Sequence, residues 1–360
     1  MSDTRKTTKP NVPNLRFPGF SGEWELKRID EISPLQRGFD LPSQSLQVGS
    51  VPVVYSNGIM NYHNESKCVA PGIVTGRSGT IGRLTYIESG PYWPHNTSLW
   101  VTDFKGNIPL FVYYLLEHID LSRFSSGSGV PTLNRNDVHA FKTCIPSVEE
   151  QHKIADCLSI IDKRISIQNK VIEKYESLIK ALRHHLFSTL ESVKEVPVAD
   201  LLSYEQPTKY IVSDTEYSNN TDLTPVLTAN KAFILGYTDE VEGIYDKGPC
   251  IILDDFTLDS KIVEFPFKVK SSAIKILSAK TTVSLRYIFE YLKFLDLNTE
   301  EHKRHYIAEI EPMSIELPEE DTIKSIAFLF DLMDKRRKGL ERGQQLLKSQ
   351  KDYLLREIFI

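Results

Sequence analysis

The sequence predicts an α+β protein: two mixed α/β globules separated by two long helices packed as an antiparallel coiled coil, arranged as a pseudo-two-fold tandem duplication. Three observations predict it. The chain aligns with itself at a shift of 172 residues. Two proline-free stretches carry apolar residues at heptad spacing, and the intervening stretches mix β-branched runs with turn residues.

The repeat is ungapped over more than 40 positions. Ile145-Pro146, Ile154-Ala155, Leu158, Ile161-Asp162-Lys163-Arg164, Ser177, Leu182 and Leu186-Phe187 fall on Leu317-Pro318, Ile326-Ala327, Phe330, Met333-Asp334-Lys335-Arg336, Ser349, Leu354 and Ile358-Phe359. No proline interrupts 147–196 or 319–360, and the proline before each suits a helix entrance. In the first helix Leu158, Ile165, Ile172, Ile179 and Leu186 recur every seven residues, beside a row of Ile154, Ile161, Gln168, Tyr175 and Leu182. In the second the fully apolar row is Ile326, Met333, Leu340, Leu347 and Leu354, and its companion row holds Phe330, Arg337, Gln344, Lys351 and Ile358. A helix of roughly 40 residues is about 60 Å long, too long for a domain of this size to cover as a mere cap. The two helices are therefore expected to pack against each other.

The globules repeat more faintly. Val51-Pro52-Val53-Val54 with Asn57 resembles Thr224-Pro225-Val226-Leu227 with Asn230. Strands are expected at Gly72–Thr75, Cys250–Leu253 and Ala273–Leu277, and one helical stretch in each globule at Leu110–His118 and Leu285–Leu295. The expected layout is a flexible N-terminal tail (1–14), a first globule (15–146), a central helical region (147–194), a second globule (195–318) and a C-terminal helical region (319–360).

No catalytic motif stands out. There is no phosphate-cradling GxxxxGK[ST], no GxGxxG after a strand and no HExxH. Ser126-Gly127-Ser128-Gly129 lacks the lysine of a phosphate loop, and Gly76-Arg77-Ser78-Gly79 falls one residue short of a nucleophile elbow. The four cysteines, at 68, 144, 157 and 250, are too scattered for a CxxC zinc site, and no metal site is expected. No apolar run approaches the roughly 20 residues of a membrane span, which together with the absence of a leader points to a cytoplasmic protein.

What remains suits nucleic-acid contact. Arg77, Ser78, Thr80 and Arg83 lie on a glycine-hinged loop able to approach phosphates and base edges. His95 and Asn96 add hydrogen-bonding groups beside Tyr92-Trp93, an aromatic pair expected in the core. Ser128, Thr132, Asn134 and Arg135 form a second polar turn. In the second globule the candidates are Lys209, Tyr210, Asn230, Lys231, Lys303, Arg304, His305 and Tyr306.

This order of parts resembles the specificity subunit of type I restriction-modification systems. The resemblance is carried by Pro13-Asn14-Leu15-Arg16-Phe17-Pro18-Gly19-Phe20 with Gly22-Glu23-Trp24, by Thr80-Ile81-Gly82, by Gly129-Val130-Pro131-Thr132-Leu133-Asn134, and by Ile145-Pro146 with Glu150-Gln151, Ile154, Leu158 and Asp162. It implies that the globules are target recognition domains, each reading one half of a bipartite sequence in double-stranded DNA. It also implies that the helices set the spacer and dock two methyltransferase subunits, with restriction subunits joining through the complex. S-adenosylmethionine, ATP and Mg²⁺ would belong to those partners, leaving this chain a non-catalytic component with no cofactor. The second half departs from the pattern: Thr322-Ile323 replaces Glu150-Gln151, and the Gly-Thr-Ile-Gly and Ser-Gly-Ser-Gly motifs are missing. The rival reading is a coiled-coil scaffold whose globules bind proteins.

The net charge of −5 is unevenly spread: +2 over 1–146, +1 over 147–194, −9 over 195–318 and +1 over 319–360. Binding of DNA by the second globule is thus expected to rely on a local basic face around Lys209, Lys303 and Arg304, and the chain alone is expected to bind weakly.

Overall fold

The computed structural model describes residues 11–126, 131–229, 232–297 and 303–360. They fall into two compact units, Met1–Asn169 with Arg342–Ile360, and Lys170–Glu341.

In the first half, β1 (Glu25–Arg28) and a helical turn α1 (Ile29–Ile32) lead into β2 (Leu35–Arg37). The hairpin β3 (Val51–Tyr55) and β4 (Gly58–His63) precedes β5 (Cys68–Val69), β6 (Gly72–Gly76), β7 (Leu84–Ile87), β8 (Pro91–Pro94) and β9 (Ser98–Val101). Next come helix α2 (Pro109–Ile119), a small hairpin β10 (Ser125–Ser126) and β11 (Thr132–Leu133), helix α3 (Arg135–Ala140), β12 (Lys142–Ile145) and the long helix α4 (Val148–Ser188). One sheet has the order β2-β9-β6-β7, a second β4-β3-β8-β5, and β1 pairs separately with β12. Every residue of β6 is buried, as its unbroken small and β-branched run requires. Proline at the first position of α2 needs no amide partner, and Phe111, Val112, Tyr114, Leu115, Leu116 and Ile119 bury that helix against the sheet.

The second half repeats the plan. It contains β13 (Lys194–Pro197), α5 (Val198–Leu201), β14 (Leu202–Glu205), β15 (Thr224–Leu227), β16 (Ile234–Thr238), β17 (Cys250–Asp254), β18 (Ser260–Val263), β19 (Lys268–Val269) and β20 (Ile274–Ala279). Helix α6 (Leu285–Phe294), one wide helical turn at Tyr306–Ile310, β21 (Ser314–Leu317) and the long helix α7 (Glu320–Ile358) follow. The sheets β14-β20-β17-β18 and β16-β15-β19 have the strand order of their counterparts, and β13 pairs with β21 as β1 does with β12. Even the prolines correspond: Pro52 and Pro225 each stand one residue before parallel pairing begins, where no ladder amide is missed.

Each unit contains part of both long helices. In the first, Ile154, Ala155 and Leu158 of α4 share a core with α2 and with Leu355, Ile358 and Phe359. A buried leucine or phenylalanine contributes about 1.5–3 kcal/mol. Along the contact Asp162 meets Lys351, and Gln344 donates to Asn169, so the two segments run antiparallel there. In the other unit Phe187 of α4 stacks on Phe330 of α7 at 6.3 Å, and Ile323, Ile326, Ala327 and Met333 complete the core with α6.

Among the residues in the heptad rows, Ile154, Leu158, Ile161, Ile326, Phe330, Met333 and Ile358 are buried. Ile165, Ile172, Ile179, Leu186, Leu340, Leu347 and Leu354 are half-buried, since a two-helix seam covers only one side. The polar members of the second row all find partners: Arg337 holds Asp334 and Glu341, Gln344 holds Asn169, and Lys351 holds Glu117 and Asp162.

Glu150-Gln151 has a local purpose that explains its loss in the repeat. Glu150 accepts from Nε and Nη2 of Arg16, each at 2.8 Å, fastening the segment before β1. Gln151 takes the Ile108 amide at 3.0 Å and donates to Asn107 and Pro146, fixing the start of α2. At the second position the repeat has Ile323, which is buried in an apolar core instead.

Candidate nucleic-acid interface

Four loops of the first globule converge through hydrogen bonds from backbone amides. The β8–β9 turn gives its Thr97 carbonyl to the amides of Arg77 and Ser78 at 2.9 and 3.2 Å. The Arg77 carbonyl accepts the Leu133 amide at 2.8 Å, and Gly79 donates to Pro131 at 3.2 Å. The Ser56 amide of the β3–β4 turn reaches the Thr97 hydroxyl at 3.4 Å. Gly76 is required here, because a Cβ would overlap the Thr80 carbonyl, and Gly82 sits at φ +78° against Ser122.

Arg77, Ser78, Thr132, His95 and Asn96 are thereby brought together, with Thr80 and Arg83 exposed on the same loop as Arg77. The Arg83 guanidinium lies close to Gly58 at the hairpin turn. Burial pulls the His95 imidazole below its ordinary value, against smaller opposing effects of a Leu41 backbone bond and Asp40, so the ring is neutral at neutral pH. Its Nδ1 faces the Thr97 hydroxyl at 3.0 Å and amide at 3.3 Å. Asn96 donates to Asp40. Asn134 accepts the Asn136 amide at 3.0 Å, capping α3, and Arg135 is exposed beside it. Tyr92 and Trp93 are buried. Ser128 lies outside the described residues. Asp40, Ser56 and Thr97 join this cluster without having stood out in the sequence, since polar turn residues carry no signal until the turns are brought together.

The second globule corrects several expectations. Tyr210, His305 and Tyr306 are buried and not available to a ligand at the surface. Tyr210 packs on Tyr245 and donates to Glu205 at 2.8 Å. The backbone amides of His305 and Tyr306 bond to the Asp255 carboxylate at 3.1 and 2.8 Å. The lysines of the expected basic face are engaged from within. Lys209 pairs with Glu205 at 2.8 Å and Lys303 with Glu309 at 3.1 Å, while Arg304 lies over the Phe256 ring. Burial pushes the Glu205 carboxyl up, but hydrogen bonds from Lys209, Lys247 and Tyr210 outweigh it and bring it down to about 2. Asn230 and Lys231 lie outside the described residues.

A residue that sequence reasoning missed is Lys270. Its amide donates to the Leu227 carbonyl at 3.1 Å, as the His95 amide does to Val54 at 2.9 Å, so it holds the place of His95 in the second sheet pair and is exposed. Only the sheet register reveals this. Among the described residues no group of three or more His, Cys, Asp or Glu is placed to hold a metal, and no helix is long and apolar enough to cross a membrane.

Residues 21–177 match the family described as type I restriction modification DNA specificity domain. The chain is 43% identical over 132 residues to the type I restriction enzyme EcoR124I/EcoR124II specificity subunit of Escherichia coli, a stretch covering 35% of this chain and 32% of that protein. The chain thus spans about a third of that relative's length. It is 24% identical over 318 residues to the putative type I restriction enzyme MjaX specificity subunit of Methanocaldococcus jannaschii, covering 76% of this chain and 74% of the relative. The crystal structure of the type I restriction-modification system S subunit from M. genitalium shares the fold, with a TM-score of 0.67 at 15% identity over 97% of this chain and 99% of that one.

Proposed function

We propose that this chain, whose residues 21–177 match the type I restriction modification DNA specificity domain family, is the DNA-reading subunit of a type I restriction-modification complex. Each globule would be a target recognition domain that reads one half of a bipartite site. The observation that carries this reading is the repetition of one sheet plan in both halves, each followed by its own copy of a long helix, in a chain whose residues 21–177 match the DNA specificity domain family. In the first half Arg77 and Arg83 supply guanidiniums for guanine edges and phosphates, and Ser78, Thr80, Thr132 and Asn96 supply shorter donors and acceptors.

The helices, 41 and 39 residues long, would pair as an antiparallel coiled coil whose length sets the unread spacer. At about 1.5 Å per residue each spans about 60 Å, an upper bound near 18 base pairs at about 3.4 Å per step. Their outer faces would dock two methyltransferase subunits, through which restriction subunits join. Exposed apolar side chains there, Ile160, Ile167, Phe328 and Leu332, favour a protein partner over bare solvent. In this reading the chain is non-catalytic, and S-adenosylmethionine, ATP and Mg²⁺ serve the partner subunits.

Long-read methylation sequencing of cells expressing the chain with its methyltransferase tests the proposal. The expected result is one bipartite methylated motif whose two parts change independently when either globule is replaced. Removing one heptad from both helices should alter the spacer and leave both half-sites unchanged. An assembled complex that leaves no methylated motif would sink the proposal in favour of a protein-binding scaffold.

A further inference from the structure

The β3–β4 hairpin carries a polar group that the loop cluster above does not include. Asn61 is exposed on β4, the outer strand of its sheet, between Met60 and Tyr62, which are 57% and 55% exposed. Its Nδ2 donates to the Tyr55 hydroxyl at 3.2 Å. The Tyr55 ring lies against the His95 ring with centroids 4.2 Å apart, and His95 engages Thr97, whose carbonyl holds the Arg77 and Ser78 amides. The Asn61 amide is therefore tied, through two rings, to the arginine loop.

One of its two N–H groups is used by Tyr55. A second N–H and the carbonyl oxygen remain, the donor–acceptor pair that matches N7 and the N6 amino group of adenine in the major groove. A two-stranded ribbon fits that groove. Side chains two positions apart on a strand are about 6.7 Å apart, close to two base-pair steps of about 3.4 Å.

We propose that Asn61 reads an adenine in the half-site bound by the first globule and that Tyr55 is its positioning residue, an inference that rests on the DNA-reading function proposed above. The test uses the complex with its methyltransferase partner and duplexes bearing the motif mapped by methylation sequencing. Each adenine of the first half-site is replaced in turn by 7-deazaadenine, which lacks the N7 acceptor. One replacement should weaken wild-type binding roughly ten-fold or more. Asn61→Ala should show no further loss at that position, and Tyr55→Phe, which keeps the ring, should show a smaller loss confined to it.

Asn61→Ala with the wild-type replacement profile overturns the inference. So does a uniform loss of affinity for every duplex by a variant whose thermal melt is unchanged. A wild-type complex that leaves no methylated motif overturns the function reading and this inference with it, whereas an intact motif with an unchanged profile overturns Asn61 alone.

Discussion

In the first half the residue that follows the central strand is Arg77; in the second half the same place is held by Asp255. The match is set by the backbone. Arg77 donates to the Thr97 carbonyl at 2.9 Å and accepts the Leu133 amide, and Asp255 donates to the Ala273 carbonyl at 2.9 Å and accepts the His305 amide at 3.1 Å. The side chains have opposite uses. Arg77 is half-exposed beside other polar turns, whereas the Asp255 carboxylate is 2% exposed, pairs with Lys275 at 3.2 Å and holds two backbone amides. One scaffold position thus carries an accessible cation in one half and a buried structural carboxylate in the other. A duplicated fold constrains the backbone at a site, and not its chemistry.

The largest effect that separates the two positions is on stability. Asp255→Ala leaves the buried Lys275 ammonium without its carboxylate and strands the Tyr306 amide, and should cost about 3–5 kcal/mol in urea unfolding of the chain, while Arg77→Ala should leave that curve in place. Equal losses for both variants would break the contrast. DNA affinity should show the reverse. Arg77→Ala should weaken binding to the first half-site by about 1–3 kcal/mol in titrations of the assembled complex, if its guanidinium is bidentate to guanine.

A smaller change is expected at Lys270, the exposed counterpart of His95. Lys270→Ala should reduce affinity about equally for all sequences of the second half-site and flatten the salt dependence, as loss of a phosphate contact does. A loss restricted to one base pair would assign it to base reading instead.

The smallest effect concerns Glu205. Its carboxyl titrates lower in the folded chain than the ordinary 4.5, at about 2. The stabilisation is therefore present above pH 4.5 and lost as pH falls toward 2. Melting temperatures of Glu205→Gln should fall less steeply than wild type between pH 5 and about 3. Parallel curves would remove the carboxylate from the account.

Much of this organisation is legible in the sequence because it is periodic or repeated. The heptad rows place α4 and α7, and the apolar runs 110–118 and 285–295 correspond to α2 and α6. The candidate site is less so. Tyr210, His305 and Tyr306 read as a cationic and aromatic surface, since composition cannot show that Asp255 draws two of them inward. Asn61 and Lys270 carry no sequence signal for the opposite reason, being single polar residues that only the folded sheets place. The Asn57-Gly58 pair was the available signal for the hairpin that carries Asn61.

The short pairings of β1 with β12 and of β13 with β21 have a consequence for inheritance. Each joins the first strand of a globule to its last, Glu25 opposite Ile145 and Lys194 opposite Leu317, so the chain enters and leaves through neighbouring strands about 4.8 Å apart. A crossover between genes at those two points would insert a foreign globule between unchanged ends, without stretching the helix that follows. One recombination event can therefore replace a globule whole and leave both long helices as they were.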